Sequence, residues 1–311
     1  KHLNSIYKKD ADGALLIAEE STAWPKVTTP VEEDGLGFDY KWNMGWMNDF
    51  LDYMKTDPLF RAGNHGKLCF SMMYAYSENF IQVLSHDEVV HGKASMIYKM
   101  PGEPAQKFAN LRTAYGFMYG HPGKKLLFMG QEFAQTKEWN EAVALSWELL
   151  DFPEHEGMRQ FVKKLNEIYN TYDAMYYNDC DPMGFEWMSC DDNENSVVSF
   201  VRRGSKAKDQ LLFIYNFTPI EHKEYKIGVP CPGRYTQILN SDDKVYGGLG
   251  RAVKEVLTAK KEEYSGRDYT LNIELPPLSV RVFKYDYVEN VKPKAKPKSG
   301  AKASKSRAKR K

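Results

Sequence analysis

Cysteine is scarce in this chain, with four among 311 residues, at Cys69, Cys180, Cys190 and Cys231. None belongs to a CxxC pair, and the spacing points to neither a zinc site nor a dense disulfide framework. The expectation is four free thiols in a reducing cytoplasm. Long hydrophobic runs are missing as well. No stretch approaches the roughly 18 consecutive apolar residues that a membrane-spanning helix needs, so no membrane partner is expected. The first residues, Lys1-His2-Leu3-Asn4, contain no apolar signal-peptide core and no initiator Met. From this the chain is expected to begin inside a longer protein. No internal repeat is found.

Acidic residues vanish at the C-terminal end. Residues 291–311 carry ten Lys/Arg and no Asp/Glu, and no aromatic residue follows Tyr287. That stretch cannot bury enough apolar surface to order itself, and is expected to be a solvated, disordered tail over 289–311. Without those ten charges, 33 basic residues face 42 acidic ones, a net charge of −9 for residues 1–290. A folded part of that sign is a poor surface for nucleic acid, which is not expected as a partner.

What is present reads as two domains. Hydrophobic residues at 42% and charged residues at 27% fit a soluble globular composition, and the length suffices for two cores. Over about 1–175, short apolar runs alternate with helical patterns. Strand candidates are Leu15-Leu16-Ile17-Ala18, Phe80–Leu84 and Leu126-Leu127-Phe128-Met129. Helical faces are Met47/Phe50/Leu51/Met54, then Phe108/Leu111/Tyr115/Met118 behind Pro104, then Met158/Phe161/Val162/Leu165/Ile168/Tyr169. Strand–helix alternation argues for parallel βα units. Over 180–288 the period falls to two. Six strands are expected there: Ser196–Arg202, Gln210–Phe217, Lys223–Val229, Arg234–Asn240, Asp268–Leu275 and Ser279–Tyr285, forming an antiparallel sandwich.

Each strand candidate of the first zone runs into acid: Glu19-Glu20, then Ser85-His86-Asp87-Glu88, then Gly130-Gln131-Glu132. In a βα barrel the C-terminal strand ends converge on the face that hosts the active site. A carboxylate beside a buried strand is costly unless it meets partners or water, so three in succession argue for a shared acidic pocket. Paired carboxylates with an adjacent His suit glycoside chemistry, in which one acid protonates the leaving oxygen while a second carboxylate acts at the anomeric centre. The 6 Trp and 20 Tyr residues offer flat platforms for sugars, although core packing is the default for most of them.

These acids fall within longer motifs. Ala18-Glu19-Glu20-Ser21-Thr22-Ala23-Trp24-Pro25, Gly35 through Met47, Leu84-Ser85-His86-Asp87-Glu88-Val89-Val90-His91-Gly92-Lys93, Leu126 through Phe133 and Glu138-Trp139-Asn140 resemble the glycogen branching enzymes of the α-amylase superfamily. Asn216-Phe217-Thr218-Pro219 and Tyr246-Gly247-Gly248 extend the resemblance into the β zone, with Leu249 where the family often has Ser. It implies the C-terminal half of a (β/α)8 barrel over 1–175, an antiparallel β-sandwich over 180–288 and the basic tail.

The resemblance also implies an activity: cleavage of α-1,4 glucan and transfer of the released segment to a 6-hydroxyl by a retaining route. By position Glu19 matches the general acid/base, Asp87 the second carboxylate, and His86 the histidine that hydrogen-bonds the sugar. Burial of Glu19 is expected, since an acid that must stay protonated needs apolar or acidic neighbours. Trp24 and Trp139, which follow strand ends, are the candidate sugar platforms, ahead of Trp42 and Trp46. Glu20, Glu88 and Glu132 are expected as supporting residues, and His91 either lines the pocket or belongs to a loop. No cofactor and no metal are implied, because retaining glycosyl transfer runs on carboxylates.

The family's nucleophile, an Asp at the end of an apolar strand upstream of the general acid, has no counterpart. Asp10 and Asp12 lie in a charged stretch instead. A full barrel takes about 250 residues, more than the first zone offers. The chain alone is therefore expected to be inactive. A hydrolase of the same superfamily and a non-catalytic glucan-binding fragment are the alternatives.

Overall fold

A computed structural model describes residues 1–10 and 13–286. The tail expectation over 289–311, and Asp12, lie outside the described residues. All four cysteines are free.

Four parallel strands organise the first part, in the spatial order β1 (Ile17–Ala18), β2 (Tyr40–Trp42), β3 (Phe80–Leu84), β4 (Lys124–Leu127). Sequential order without reversal is what a barrel wall gives; a doubly wound sheet would reverse at its switch point. Strand β3 is buried at all five positions, including Gln82, whose amide donates to the Pro122 carbonyl at 2.7 Å. Strand β1 is half the expected length. Asp39 explains this: its backbone N–H donates to the Leu16 carbonyl, and its carboxylate accepts from Leu16 N at 2.8 Å, so a side chain replaces the next ladder bond. Strand β4 starts two residues earlier than expected and stops before Gly130, whose φ of 85° turns the chain.

Helix α1 (His2–Asp10) precedes the strands, and α2 (Met44–Lys55), α3 (Gly66–Cys69), α4 (Met96–Lys99), α5 (Pro104–Gly120) and α6 (Pro153–Thr171) lie between and after them. Local chemistry sets their starts. Asn43 caps α2 by accepting from Trp46 N at 2.9 Å. Helix α5 opens with Pro104 in its first turn and a capping box between Glu103 and Gln106. The expected apolar faces of α2, α5 and α6 all point into one core.

The second part is antiparallel: β5 (Phe185–Asp192), β6 (Val197–Arg203), β7 (Gln210–Asn216), β8 (His222–Val229), β9 (Gly233–Asn240), β10 (Val256–Tyr264), β11 (Arg267–Leu275) and β12 (Ser279–Asp286). Their order is β5-β6-β7-β12-β9-β10-β11-β8. Strand β10 pairs with β9 through Val256–Ala259 and then with β11 from Lys260 onward, carrying the sheet over into a second layer. The layers enclose a core that includes Val201, Leu212, Ile214, Ile227 and Leu271. Six strands match the sequence reading within a residue or so, while β5 and β10 are additions. The outer face of β6, β7 and β12 presents Phe200, Phe213, Tyr215 and Val280 to the core that holds α5.

Candidate active site

The parallel sheet carries its acids at one edge. Glu19-Glu20 follows β1, His86-Asp87-Glu88 follows β3, and Glu132 sits in a 3-10 turn just past β4. Strand β2 separates the first two groups and ends in Trp42-Asn43, with no acid.

Glu19 departs from expectation. It is exposed rather than buried, and its carboxylate makes no hydrogen bond or ion pair with another described residue. The reason is positional: β1 is a two-residue edge strand paired only with β2, so nothing covers its outer side. Glu20 is the anchored member of the pair. It accepts from Lys41 Nζ at 2.8 Å and from Thr22 N at 2.8 Å. The Lys41 hydrogen bond, helped by Thr22, lowers its pKa to about 2. Lys41 itself is buried, a Lys at an inward strand position held by Glu20 and by the Thr22 carbonyl at 2.9 Å. Sequence reasoning missed it, because a single Lys inside Tyr40-Lys41-Trp42 resembles a surface residue.

The His86–Asp87 segment is held from several sides. His86 Nε2 lies 3.3 Å from Asp87 Oδ1, with both side chains about 40% exposed. Asp87 N donates to Ser85 Oγ at 3.2 Å, and the buried Glu88 carboxylate accepts from Ser85 N. Gln131 Nε2 reaches across from the β4 end to the carbonyls of Leu84 and Ser85, at 3.2 and 3.3 Å. The loop is therefore fixed by backbone contacts, leaving the His86 and Asp87 heads free to meet a ligand.

Aromatic rings gather on the same side. His86 stands edge-on to Trp139 with centroids 5.5 Å apart, and Phe128 lies 5.4 Å from Trp139. Trp139 N also donates to the Val89 carbonyl at 2.8 Å. Its neighbour Glu138 accepts from Gly92 N at 2.9 Å and Ala94 N at 2.6 Å, hydrogen bonds that lower its pKa. Glu138 thus ties down the loop after Asp87, a role the spacing of the motifs did not reveal. His91 is fully exposed, 3.4 Å from Glu138. Trp46 is core, stacked on Phe50, and Trp42 is half-buried. Trp24 is 60% exposed and lines a cavity of about 460 Å³ with Glu20, Lys41, Trp42, Asn43 and Tyr74. So the structure brings His86, Asp87 and Trp139 together past β3, and puts Trp24 with Glu20 past β1, on the far side of β2. Among the described residues no group of three or more His, Cys, Asp or Glu is placed to hold a metal ion. No helix there is long and apolar enough to cross a membrane.

A four-stranded parallel sheet with acids past its strand ends is thus joined to an antiparallel β domain. Residues 187–286 match the family described as alpha amylase, C-terminal all-beta domain. An alpha-amylase from H.orenii superposes with a TM-score of 0.56 at 15% identity, over 91% of this chain and 56% of its own. A debranching enzyme of Nostoc punctiforme gives 0.61 at 14% identity, over 91% and 54%. Sequence relatives are nearer. The 1,4-alpha-glucan branching enzyme GlgB of Butyrivibrio fibrisolvens is 53% identical over 91% of this chain and 44% of its own length. That of Gloeobacter violaceus is 52% identical over 91% and 39%, and that of Aquifex aeolicus 49% over 92% and 45%. The chain is thus related to the branching enzymes of the α-amylase superfamily and fits their C-terminal portion; it spans less than half the length of these relatives.

Proposed function

We propose that these residues are the acid/base-bearing part of a cytoplasmic 1,4-α-glucan branching enzyme. Residues 1–175 are read as the C-terminal half of its catalytic barrel, 180–288 as its β-sandwich and 289–311 as a basic tail. What carries the reading is the coincidence of two things. The chain is 53% identical to a branching enzyme along 91% of its length, and its strand-end acids sit where a barrel does its chemistry.

In this reading Glu19 protonates the glycosidic oxygen of the departing chain and then takes the proton of the incoming 6-hydroxyl, the two halves of a retaining cycle. Asp87, beside His86, holds sugar hydroxyls and stabilises positive charge at the anomeric carbon. Trp139 and Trp24 supply flat apolar faces for glucose rings. Glu20, tied to Lys41, stays ionised beside Glu19. The nucleophile comes from a segment outside these 311 residues, so the chain alone forms no glycosyl ester and is inactive.

Iodine staining of amylose, read together with reducing-end release, tests this. A longer protein containing this sequence is expected to shift the iodine spectrum with little new reducing sugar, where a hydrolase would release reducing ends. Glu19→Gln in that protein is expected to lower kcat by 100-fold or more, on the order of the general-acid contribution. Glu19→Gln activity near wild type, or transfer by the 311 residues alone, would contradict the assignment.

A further inference from the structure

Two of the four cysteines meet across the join between the two parts of the molecule. Cys69 ends α3 and Cys190 lies in β5, 121 residues further on. The Cys69 thiol donates to the Cys190 carbonyl at 3.3 Å, and the two side chains lie close enough to perturb each other's ionisation. Both are partly exposed, so a small oxidant can reach them. One turn before Cys69, the buried His65 ring lies against the Cys190 backbone and stays neutral because burial disfavours its charged form. The other two thiols lack such a partner: Cys180 is exposed, and Cys231 lies among Gln210, Arg203 and Tyr285.

We propose that Cys69 and Cys190 are a reversible dithiol–disulfide pair that ties the half-barrel to the β domain, oxidised by a low-molecular-weight disulfide. The two thiols are unequal, as such a pair requires. Contact with the Cys69 side chain lowers the Cys190 pKa below that of an ordinary thiol, while the same contact and burial push Cys69 up. Cys190 thiolate attacks one sulfur of the oxidant RSSR and releases RS⁻, leaving a Cys190–SR mixed disulfide. Cys69 then loses its proton and attacks the Cys190 sulfur, releasing the second RS⁻. The protein gives up two protons and two electrons, and the oxidant leaves as two RSH. The new bond closes a loop of 121 residues, which restricts the unfolded chain strongly.

The test is to equilibrate the full chain in reduced and oxidised glutathione buffers, alkylate free thiols, digest without reductant and weigh the peptides. A peptide pair joined through Cys69 and Cys190, with Cys180 and Cys231 alkylated, is the expected product. The oxidised protein should melt about 5 °C above the reduced one, an increase that dithiothreitol reverses and Cys69→Ser abolishes. Glutathione adducts alone, a bond between any other pair, or no difference in melting would overturn the proposal.

Discussion

The His121 ring lies buried just past α5, its Nδ1–H donating to the Pro122 carbonyl at 2.8 Å and its Nε2 accepting from Ser71 Oγ at 2.9 Å. Gln82 Nε2, itself donating to the Pro122 carbonyl, lies 3.1 Å from Nδ1, and one ring donor with one ring acceptor is the neutral form. Burial strips the water an imidazolium would need, and its pKa falls to about 3 against the opposing pull of the Pro122 carbonyl. In the unfolded chain the same ring takes its proton near pH 6.5. Below that value the unfolded state binds a proton that the folded state refuses until about pH 3. Stability from His121 is therefore complete above pH 6.5 and declines as the pH falls through that window. At pH 5 the loss is about 2 kcal/mol. His121→Gln removes this titration, so its urea midpoint should fall less between pH 7 and pH 5 than the wild type's; parallel curves would reject the account. Single residues also mark where the sequence was readable. The position of Asp87 and His86 just past a buried strand was legible. The packing of His86 on Trp139, 53 residues away, was not, because a ring contact between two loops leaves no periodicity. Glu19 was expected inside because its role needs a protected proton, yet an edge strand offers no cover on its outer side.

Helix α5 shows how an element can be placed by what it lacks. Gly116 and Gly120 face the sheet of the β domain, and a Cβ on Gly116 would come within 2.5 Å of Val280 Cγ1. On Gly120 it would come within 2.2 Å of Tyr215 Oη and 3.0 Å of both Phe200 and Phe213. Tyr215 cannot retreat, since it is fully buried, stacked with Phe217, and donates its hydroxyl to the Gly116 carbonyl at 3.0 Å. Gly120→Ala gains at most about 1 kcal/mol of helix propensity. The forced separation of α5 from the sheet costs about 1–3 kcal/mol, and the Tyr215 hydrogen bond roughly 1 more. Net destabilisation of about 1–3 kcal/mol should appear in urea unfolding; a stabilised variant would mean that the contact yields. The same scale explains the elements that sequence patterning missed. In β10 nearly every residue is exposed and Lys260-Lys261-Glu262-Glu263 reads as a charged loop. Strand β5 shifts register twice, between Trp187 and Ser189 and again before Asp192, which breaks its alternation. Strand β2 hides its buried Lys41 among aromatics. By contrast β6, β7 and β12 were plain, because nearly all their positions are buried and most carry Val, Leu, Ile, Phe or Tyr.

At the scale of the whole molecule, the two architectures share one interior. The larger core runs from Trp46, Phe50 and Phe117 in the half-barrel to Phe200, Phe213, Tyr215 and Val282 in the β domain. Buried charge reinforces the join. Arg202 of β6 donates to the Gly120 and Met175 carbonyls at 2.9 and 3.2 Å and to the Asp179 carboxylate at 2.9 Å. Burial would raise the Asp179 pKa, but Arg202, with Lys125 and Lys124, overrides it and holds it at about 2. Removing the half-barrel would uncover aromatic surface and take the Gly120 and Met175 carbonyls away from the buried Arg202 guanidinium. Neither part can open without the other, so the described region should unfold in one step despite its two folds. Tryptophan fluorescence reports mainly on the half-barrel, which holds five of the six Trp residues, and far-UV circular dichroism on both parts. The two urea curves should coincide. A separate early transition in either signal would show that the shared core does not couple them.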